Sequence, residues 1–421
     1  MSIISKLKNN KKLVSNFSYM FIIEISNYIL PIISIPYIVR VVGIEKFGII
    51  SFSYIVVSYF SILVDYGFKL ISTRDISIYR DSNKKLSVYF WKMYISQLLL
   101  LCLGIVIFTI VLELPQLKEH KEIFIFAFGM TLGHFLYPTW FFQGIENMKF
   151  IAIMNFISRV TYLIMIFLFI KTADDYIYVP LYNGLSFIMI GIISLIYIYQ
   201  KFDLEFKITK FRYIKNFFKK GWHLFTSNIA NSLSTNLNIL LLGSISGYTA
   251  VGVYSIADKL FGAVMNIVGI ANIVIYPYLA KLSNNTKILL DKIRYLIALY
   301  ILFGLLLSSI FFFFSSDIIW IIFKQNNMDS IIVLKILAIV MFIRPFSQLL
   351  IHYLVIKKNT KKIQIITLKT MIINFILIFP FLYYYNAIGL AIVIVCVQIF
   401  QIITLLKENQ ELILKRNRKK S

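Results

Sequence analysis

Residues 98–112 read LLLLCLGIVIFTIVL, with no charged side chain. Residues 299–314, LYILFGLLLSSIFFFF, and 370–382, TMIINFILIFPFL, have the same character. A helix crossing a bilayer needs about 20 mostly apolar residues, and these runs reach that length with their flanks. A barrel strand would alternate over about ten residues, and these runs do not alternate. The class is therefore an all-α polytopic membrane protein, each span satisfying its own backbone hydrogen bonds in lipid.

Composition agrees. Of 421 residues, 59% are hydrophobic and only 15% charged, against roughly 25% charged in a soluble domain. The mean hydropathy is +0.80. That excludes an ordinary soluble enzyme, a disordered chain and a secreted disulfide scaffold. Cys102 and Cys396 sit in apolar runs, and His120, His134, His223 and His352 are scattered. The pattern implies no disulfide framework, no metal site and no cofactor. It contains no Walker A, G-x-S-x-G or H-E-x-x-H motif, so no catalytic role is assigned.

Twelve helices are expected at about 14–41, 45–66, 86–113, 122–143, 150–170, 176–199, 221–245, 249–280, 291–314, 329–356, 361–384 and 387–406. The basic start, MSIISKLKNNKKLV, reads as a cytoplasmic tail entering a span. With that end inside, the cytoplasmic segments hold 31 Lys and Arg and the outer loops hold 5 (Lys46, Lys118, Lys121, Lys171 and Lys324). This asymmetry predicts both termini in the cytoplasm. It also accounts for most of the +24 net charge without nucleic acid. The outer loops are too short for a catalytic ectodomain. The longest loop, KFDLEFKITKFRYIKNFFKK at 201–220, is read as an amphipathic linker at the lipid surface. It divides a six-helix lobe at 1–200 from a second at 221–406, and a basic tail follows at 407–421.

The lobes resemble each other. GIEKFGIISFSYI at 43–55 matches GYTAVGVYSIADK at 247–259, an offset of 204, and Pro138 matches Pro345 at an offset of 207. An even number of helices per half predicts a parallel repeat, as transporters often have.

LPIISIPYIVRVVGIEKFGIISFSYIVVSYFSILVDYGFKLISTRDIS, residues 30–77, resembles the N-terminal region of bacterial polysaccharide and O-antigen repeat-unit flippases, of the multidrug/oligosaccharidyl-lipid/polysaccharide exporter superfamily. IPYIVRVVG followed by FG, DYGF at 65–68 and TRDI at 73–76 carry the match. YPTWFFQGIENMK at 137–149, VGVYSIADKL at 251–260 and YPYLAKL at 276–282 extend it. The resemblance implies twelve helices in two lobes around a central cavity, working by alternating access. It implies a polyprenyl-pyrophosphate-linked oligosaccharide as substrate, moved to the outer leaflet of the bacterial cytoplasmic membrane. A monomer is expected, with contacts to a polysaccharide polymerase or transferase open. The rival readings are a membrane glycan polymerase or ligase, and a drug or cation antiporter of the same fold.

The charges inside the spans favour an anionic substrate. Seven are basic (Arg40, Lys92, Arg159, Lys259, Lys335, Arg344, Lys369), against Glu24, Asp65 and Asp258. A charge at a helix centre costs about 2.5–3.5 kcal/mol, so Arg159 and Arg344 together cost roughly 5–7 kcal/mol unless hydrated or paired. Arg40, Arg159, Lys259 and Arg344 are the expected grip on the pyrophosphate, because a guanidinium holds phosphate oxygens bidentately. Lys92, Lys335 and Lys369 lie near helix ends, where snorkelling serves equally well. Glu24 is either a coupling carboxylate or a partner for an intramembrane cation. Asp65 organises the loop after its helix or gates it, and Asp258 pairs with another helix or serves transport. Pro31 and Pro36 bend the first helix, as a hinge or a fixed kink. Tyr28, Tyr37, Tyr54 and Trp140 are candidates for stacking on sugar, with belt or core packing as the alternative.

Overall fold

The computed structural model describes residues 30–207, 211–282, 285–324, 326–357 and 359–409. Glu24, Tyr28 and most of the basic tail fall outside them. No strand occurs among the described residues. Nine helices there are long and apolar enough to cross a membrane, which makes this a multi-pass membrane protein. The helices are α1 (Leu30–Val42), α2 (Ile44–Asp65), α3 (Phe68–Tyr79), α4 (Asn83–Val111), α5 (Lys121–Leu136), α6 (Thr139–Gly144), α7 (Met148–Phe169) and α8 (Tyr178–Lys201). Then come α9 (Phe211–Lys281), α10 (Thr286–Phe313), α11 (Ser315–Phe323), α12 (Met328–Ile356) and α13 (Thr360–Glu408).

Two of these are too long to be single spans. α9 is interrupted at Gly247 (φ 82°, ψ 176°) and α13 at Asn386 (φ 48°, ψ −126°). Both interruptions fall where the sequence predicts short outer loops. Gly43, between α1 and α2, has φ 84° and ψ 170°. Gly43 and Gly247 thus share a backbone conformation essentially reserved for glycine, 204 residues apart, as the repeat predicts. The prolines are less alike. The chain leaves helix at Tyr137–Pro138, between α5 and α6, whereas α12 runs unbroken through Pro345.

The chain divides into two compact units, Met1–Leu240 and Leu241–Ser421. In the first, α5 and α8 cross closely, with Gly129 against Gly184, so little space separates their backbones. An aromatic core that includes Phe68, Phe90, Trp140, Phe141, Phe142 and Phe187 fills this unit. In the second, Leu289, Ile293, Leu349, Leu350 and Tyr353 form the core between α10 and α12.

Residues 67–85, expected as a loop, are largely the helix α3. The DYGF motif is its hinge from α2. Tyr66 (φ 48°) and Gly67 (φ 71°) turn the chain in the left-handed region. A Cβ on Gly67 would collide with the Cβ of Leu224. Tyr66 stacks on Phe225 at 4.3 Å and Phe68 on Phe217 at 4.3 Å. The second half of the basic linker is therefore helical, being the start of α9, and it is fastened to the DYGF turn.

Candidate functional site

In the first unit, intramembrane polar groups gather around Arg159, which is partly buried on α7. Its guanidinium carbon lies 5.5 Å from the Phe187 ring on α8, and the His134 ring on α5 lies 4.8 Å from that same ring. A guanidinium over an aromatic face gains cation–π attraction while keeping its N–H donors free to bind elsewhere. Tyr162, one turn along α7, and Tyr54 on α2 flank Arg159. Tyr54 Oη lies among Tyr162, Asn183 and Arg159. Yet Tyr54 Oη and Asn183 Oδ1 are buried without a hydrogen bond of good geometry. Leaving buried polar atoms unsatisfied costs about 1–3 kcal/mol each, so this corner suits a polar guest. Among the described residues Arg159 forms no ion pair.

The second unit has a similar arrangement on different helices. Arg344 on α12 is exposed, its guanidinium carbon 5.6 Å from the Phe261 ring. Asp258 on α9 accepts a hydrogen bond from Tyr254 at 3.4 Å and lies within electrostatic reach of Lys259 and Arg344. Neither cation closes to an ion pair with it among the described residues. Lys259 is exposed. One carboxylate therefore faces two cations, leaving this cluster net positive.

The other expected site residues are placed as follows. Arg40 is exposed two residues before the end of α1. Pro31 and Pro36 lie within α1, which runs unbroken through Pro36; the chain turns instead at Gly43. Asp65 is half-buried at the end of α2, its carboxylate facing the backbone N–H groups of Gly67 and Lys69. It also lines a cavity of about 490 Å³ with Lys69, Thr73, Arg74, Gln143 and Asn228. Tyr37 donates to the Ile170 carbonyl at 2.7 Å and packs on Phe167, which ties α1 to the end of α7. Trp140 is buried in the aromatic core. Lys369 is exposed and Lys335 half-buried. The Lys92 ammonium lies near the Tyr89 and Phe217 rings, with Asp75 beyond.

Sequence reasoning missed His134, Tyr162 and Asn183. Only their polarity within apolar runs marked them, and Tyr and His within spans are common enough to pass unnoticed.

The polysaccharide biosynthesis protein family matches residues 13–283, well over half of the chain. The chain belongs to the polysaccharide biosynthesis protein family. This is the branch that the IPYIVR, DYGF and TRDI motifs resemble. Among curated relatives, a candidate O-antigen transporter of Escherichia coli (strain K12) is 27% identical over 396 residues, covering 93% of this chain and 95% of that one. A second candidate O-antigen transporter, from Shigella dysenteriae, is 28% identical over 401 residues, covering 93% and 98%. The fold is that of the lipid II flippase MurJ in an inward closed conformation (TM-score 0.70, 17% identity, covering 94% of this chain and 87% of that one). An inward-facing multidrug resistance MATE family transporter of the MOP superfamily is similar too (TM-score 0.69, 13% identity, covering 93% and 97%). These two solved structures share this helical architecture, and the polar clusters around Arg159 and Arg344 are this chain's own side chains on it.

Proposed function

We propose that this protein is a flippase that moves polyprenyl-pyrophosphate-linked oligosaccharide repeat units, of O-antigen or capsule type, from the inner to the outer leaflet of the bacterial cytoplasmic membrane. The observation that carries the reading is the state of Arg159 and Arg344. Each lies over a phenylalanine ring within an apolar helix and makes no ion pair among the described residues. A cation within an apolar helix with no acid closed on it is costly, and a pyrophosphate supplies an anion. The names of the curated relatives and the lipid II flippase fold support the same substrate class.

On this reading the chain crosses the membrane twelve times, with both termini cytoplasmic. The interruptions at Gly247 and Asn386 supply two of the turns. The lobes are 1–200 and 221–406, joined by 201–220 and followed by the basic tail 407–421. Transport runs by alternating access, with Arg40, Arg159, Lys259 and Arg344 as the cationic grip. Asp65 and Asp258 serve coupling or gating, and α1, which carries Pro31 and Pro36, is the hinge. The protein acts as a transporter without catalysing a covalent step.

The experiment is reconstitution of the purified chain in vesicles loaded with a lipid-pyrophosphate glycan, scoring leaflet crossing with and without a pH or sodium gradient. Crossing that depends on the protein supports the reading. No crossing under any gradient, with repeat units still reaching the outer leaflet in cells lacking the chain, defeats it.

A further inference from the structure

A second cationic site lies away from Arg159, at the end of the first unit read as cytoplasmic. It is a cavity of about 510 Å³ lined by Tyr89, Lys92, Tyr213, Asn216, Phe217, Lys219 and Lys220. Three of these are lysines, and no carboxylate lines it among the described residues. Lys92 forms the floor. Its ammonium lies 4.5 Å from the Tyr89 ring and 4.6 Å from the Phe217 ring. Behind it, Asp75 is 3.9 Å away. Arg74 donates to the other oxygen of that carboxylate at 2.8 Å, so one acid is shared between two cations. Lys220 acts on the Lys92 ammonium as a like charge. Two like-charged side chains thus bear on Lys92, and one shared acid does not balance them.

The aromatic groups hold the site in shape. Tyr89 stacks on Tyr79 at 4.6 Å with the rings 9° from parallel, and Lys85 covers the far end of that stack, 5.2 Å from Tyr79. Phe217 is stacked on Phe68 of the DYGF hinge. The rings therefore fix Lys92 in place. Lys219 and Lys220 are exposed at the mouth. A fixed, half-desolvated ammonium with two mobile ones above it is a receptor for a compact multivalent anion. The cavity lies on the side read as cytoplasmic, whose segments are rich in basic side chains and where anionic lipid headgroups concentrate.

We propose that this pocket binds the phosphate group of a lipid headgroup, with Lys92 as the fixed ligand and Lys219 and Lys220 closing over it. Bound there, the phosphate bridges α4 to the start of α9 and fastens the linker helix to the DYGF turn. The site is independent of the transport reading, because it involves none of the residues assigned to the cargo.

The test uses the full chain purified in detergent, titrated with dioctanoyl phosphatidylglycerol, dioctanoyl phosphatidylcholine or geranyl pyrophosphate, with binding read by thermal shift. Wild-type protein is expected to bind phosphatidylglycerol or geranyl pyrophosphate saturably, and phosphatidylcholine at least fivefold more weakly. Lys219→Gln/Lys220→Gln, exposed and harmless to folding, is expected to lose at least fivefold in affinity. Lys92→Gln should lose more, and in the phosphatidylglycerol arm Arg159→Gln should bind as wild type. Loss in the phosphatidylglycerol arm identifies a resident phospholipid, and loss in the geranyl pyrophosphate arm alone identifies the headgroup of an isoprenoid lipid. Unchanged affinity in Lys219→Gln/Lys220→Gln, or loss of phosphatidylglycerol binding in Arg159→Gln instead, overturns the proposal. A failed flipping assay leaves this result untouched.

Discussion

The Arg159 guanidinium carbon lies 5.5 Å from the centre of the Phe187 ring, beside Tyr54 and Tyr162 and without an acidic partner among the described residues. The ring steadies the cation without neutralising it. If that charge grips a pyrophosphate, Arg159→Gln removes charge-assisted hydrogen bonds worth about 1.5–3 kcal/mol. Glycan export should then fall about tenfold to a hundredfold, at unchanged protein level in the membrane. Arg159→Lys should recover part of it, because an ammonium keeps the charge and loses the bidentate fork. Wild-type export from Arg159→Gln would remove Arg159 from the site.

Arg344 tests the second unit in the same assay. Asp258 lies within its electrostatic reach, so the charge there is partly balanced. Arg344→Gln is expected to lower export less than Arg159→Gln. The double variant should lose about the product of the two if each contributes independently. A double variant no worse than Arg159→Gln, with Arg344→Gln at wild-type export, would mean that Arg159 alone contributes.

Gly67 carries the DYGF hinge for two physical reasons. Its φ of 71° disfavours any Cβ, and a Cβ there would strike Leu224. Gly67→Ala should therefore destabilise the protein by more than the about 1–3 kcal/mol of backbone strain alone. Gly43→Ala and Gly247→Ala have the strain and open space around the added atom, so they should cost only that. Melting of the three variants in detergent, monitored by tryptophan fluorescence, gives the order. Gly67→Ala as mild as the other two would refute the close approach to α9.

These glycines also show how far the sequence could be read. The offset of 204 was visible as text, and Gly43 and Gly247 adopt one conformation because the same turn is needed twice. The apolar runs disclosed the class, because lipid leaves a helix no alternative. The helix over Phe68–Tyr79 was hidden, since its polar, basic composition looks like a loop when only hydropathy is followed. Arg159 and Arg344 were legible because a charge in an apolar run is rare. His134, Tyr162 and Asn183 were not, because their importance lies in what surrounds them. The setting of Lys92 was not legible either, because Phe217, whose ring lies 4.6 Å from its ammonium, is 125 residues away in sequence.

The turn between α4 and α5 titrates in a predictable direction. Lys121 and Lys118 both pair with the exposed Glu113, and their charges hold its carboxyl below the ordinary glutamate range. A depressed carboxyl favours the folded turn above its unfolded pKa and loses that contribution as pH falls through the folded value. NMR titration should place Glu113 below a free glutamate, and Lys121→Gln should move it upward. High salt should shrink the difference, because the pair is fully exposed. A normal titration in low salt would mean that the pairs do not persist.

Asn386 interrupts α13 at φ 48° and ψ −126°, a conformation suited to the first central residue of a type II′ turn, where glycine is preferred. Strain of this kind costs about 1–3 kcal/mol in a non-glycine residue, and glycine returns part of the gain by enlarging the freedom of the unfolded chain. Asn386→Gly should therefore stabilise the second unit by about 1 kcal/mol, the strain relieved less the entropy returned. The residue also lines a cavity of about 410 Å³ together with Asp329, Tyr384 and Tyr385. Strain kept at such a place points to a use for the asparagine side chain. Two measurements separate the possibilities. If Asn386→Gly melts higher and transports normally, the turn is only a connector. If it melts higher and transports less, the amide acts in the transport cycle, and the strain is the cost of holding it there. A lower melting point would show that the asparagine amide contributes more to stability than its backbone costs.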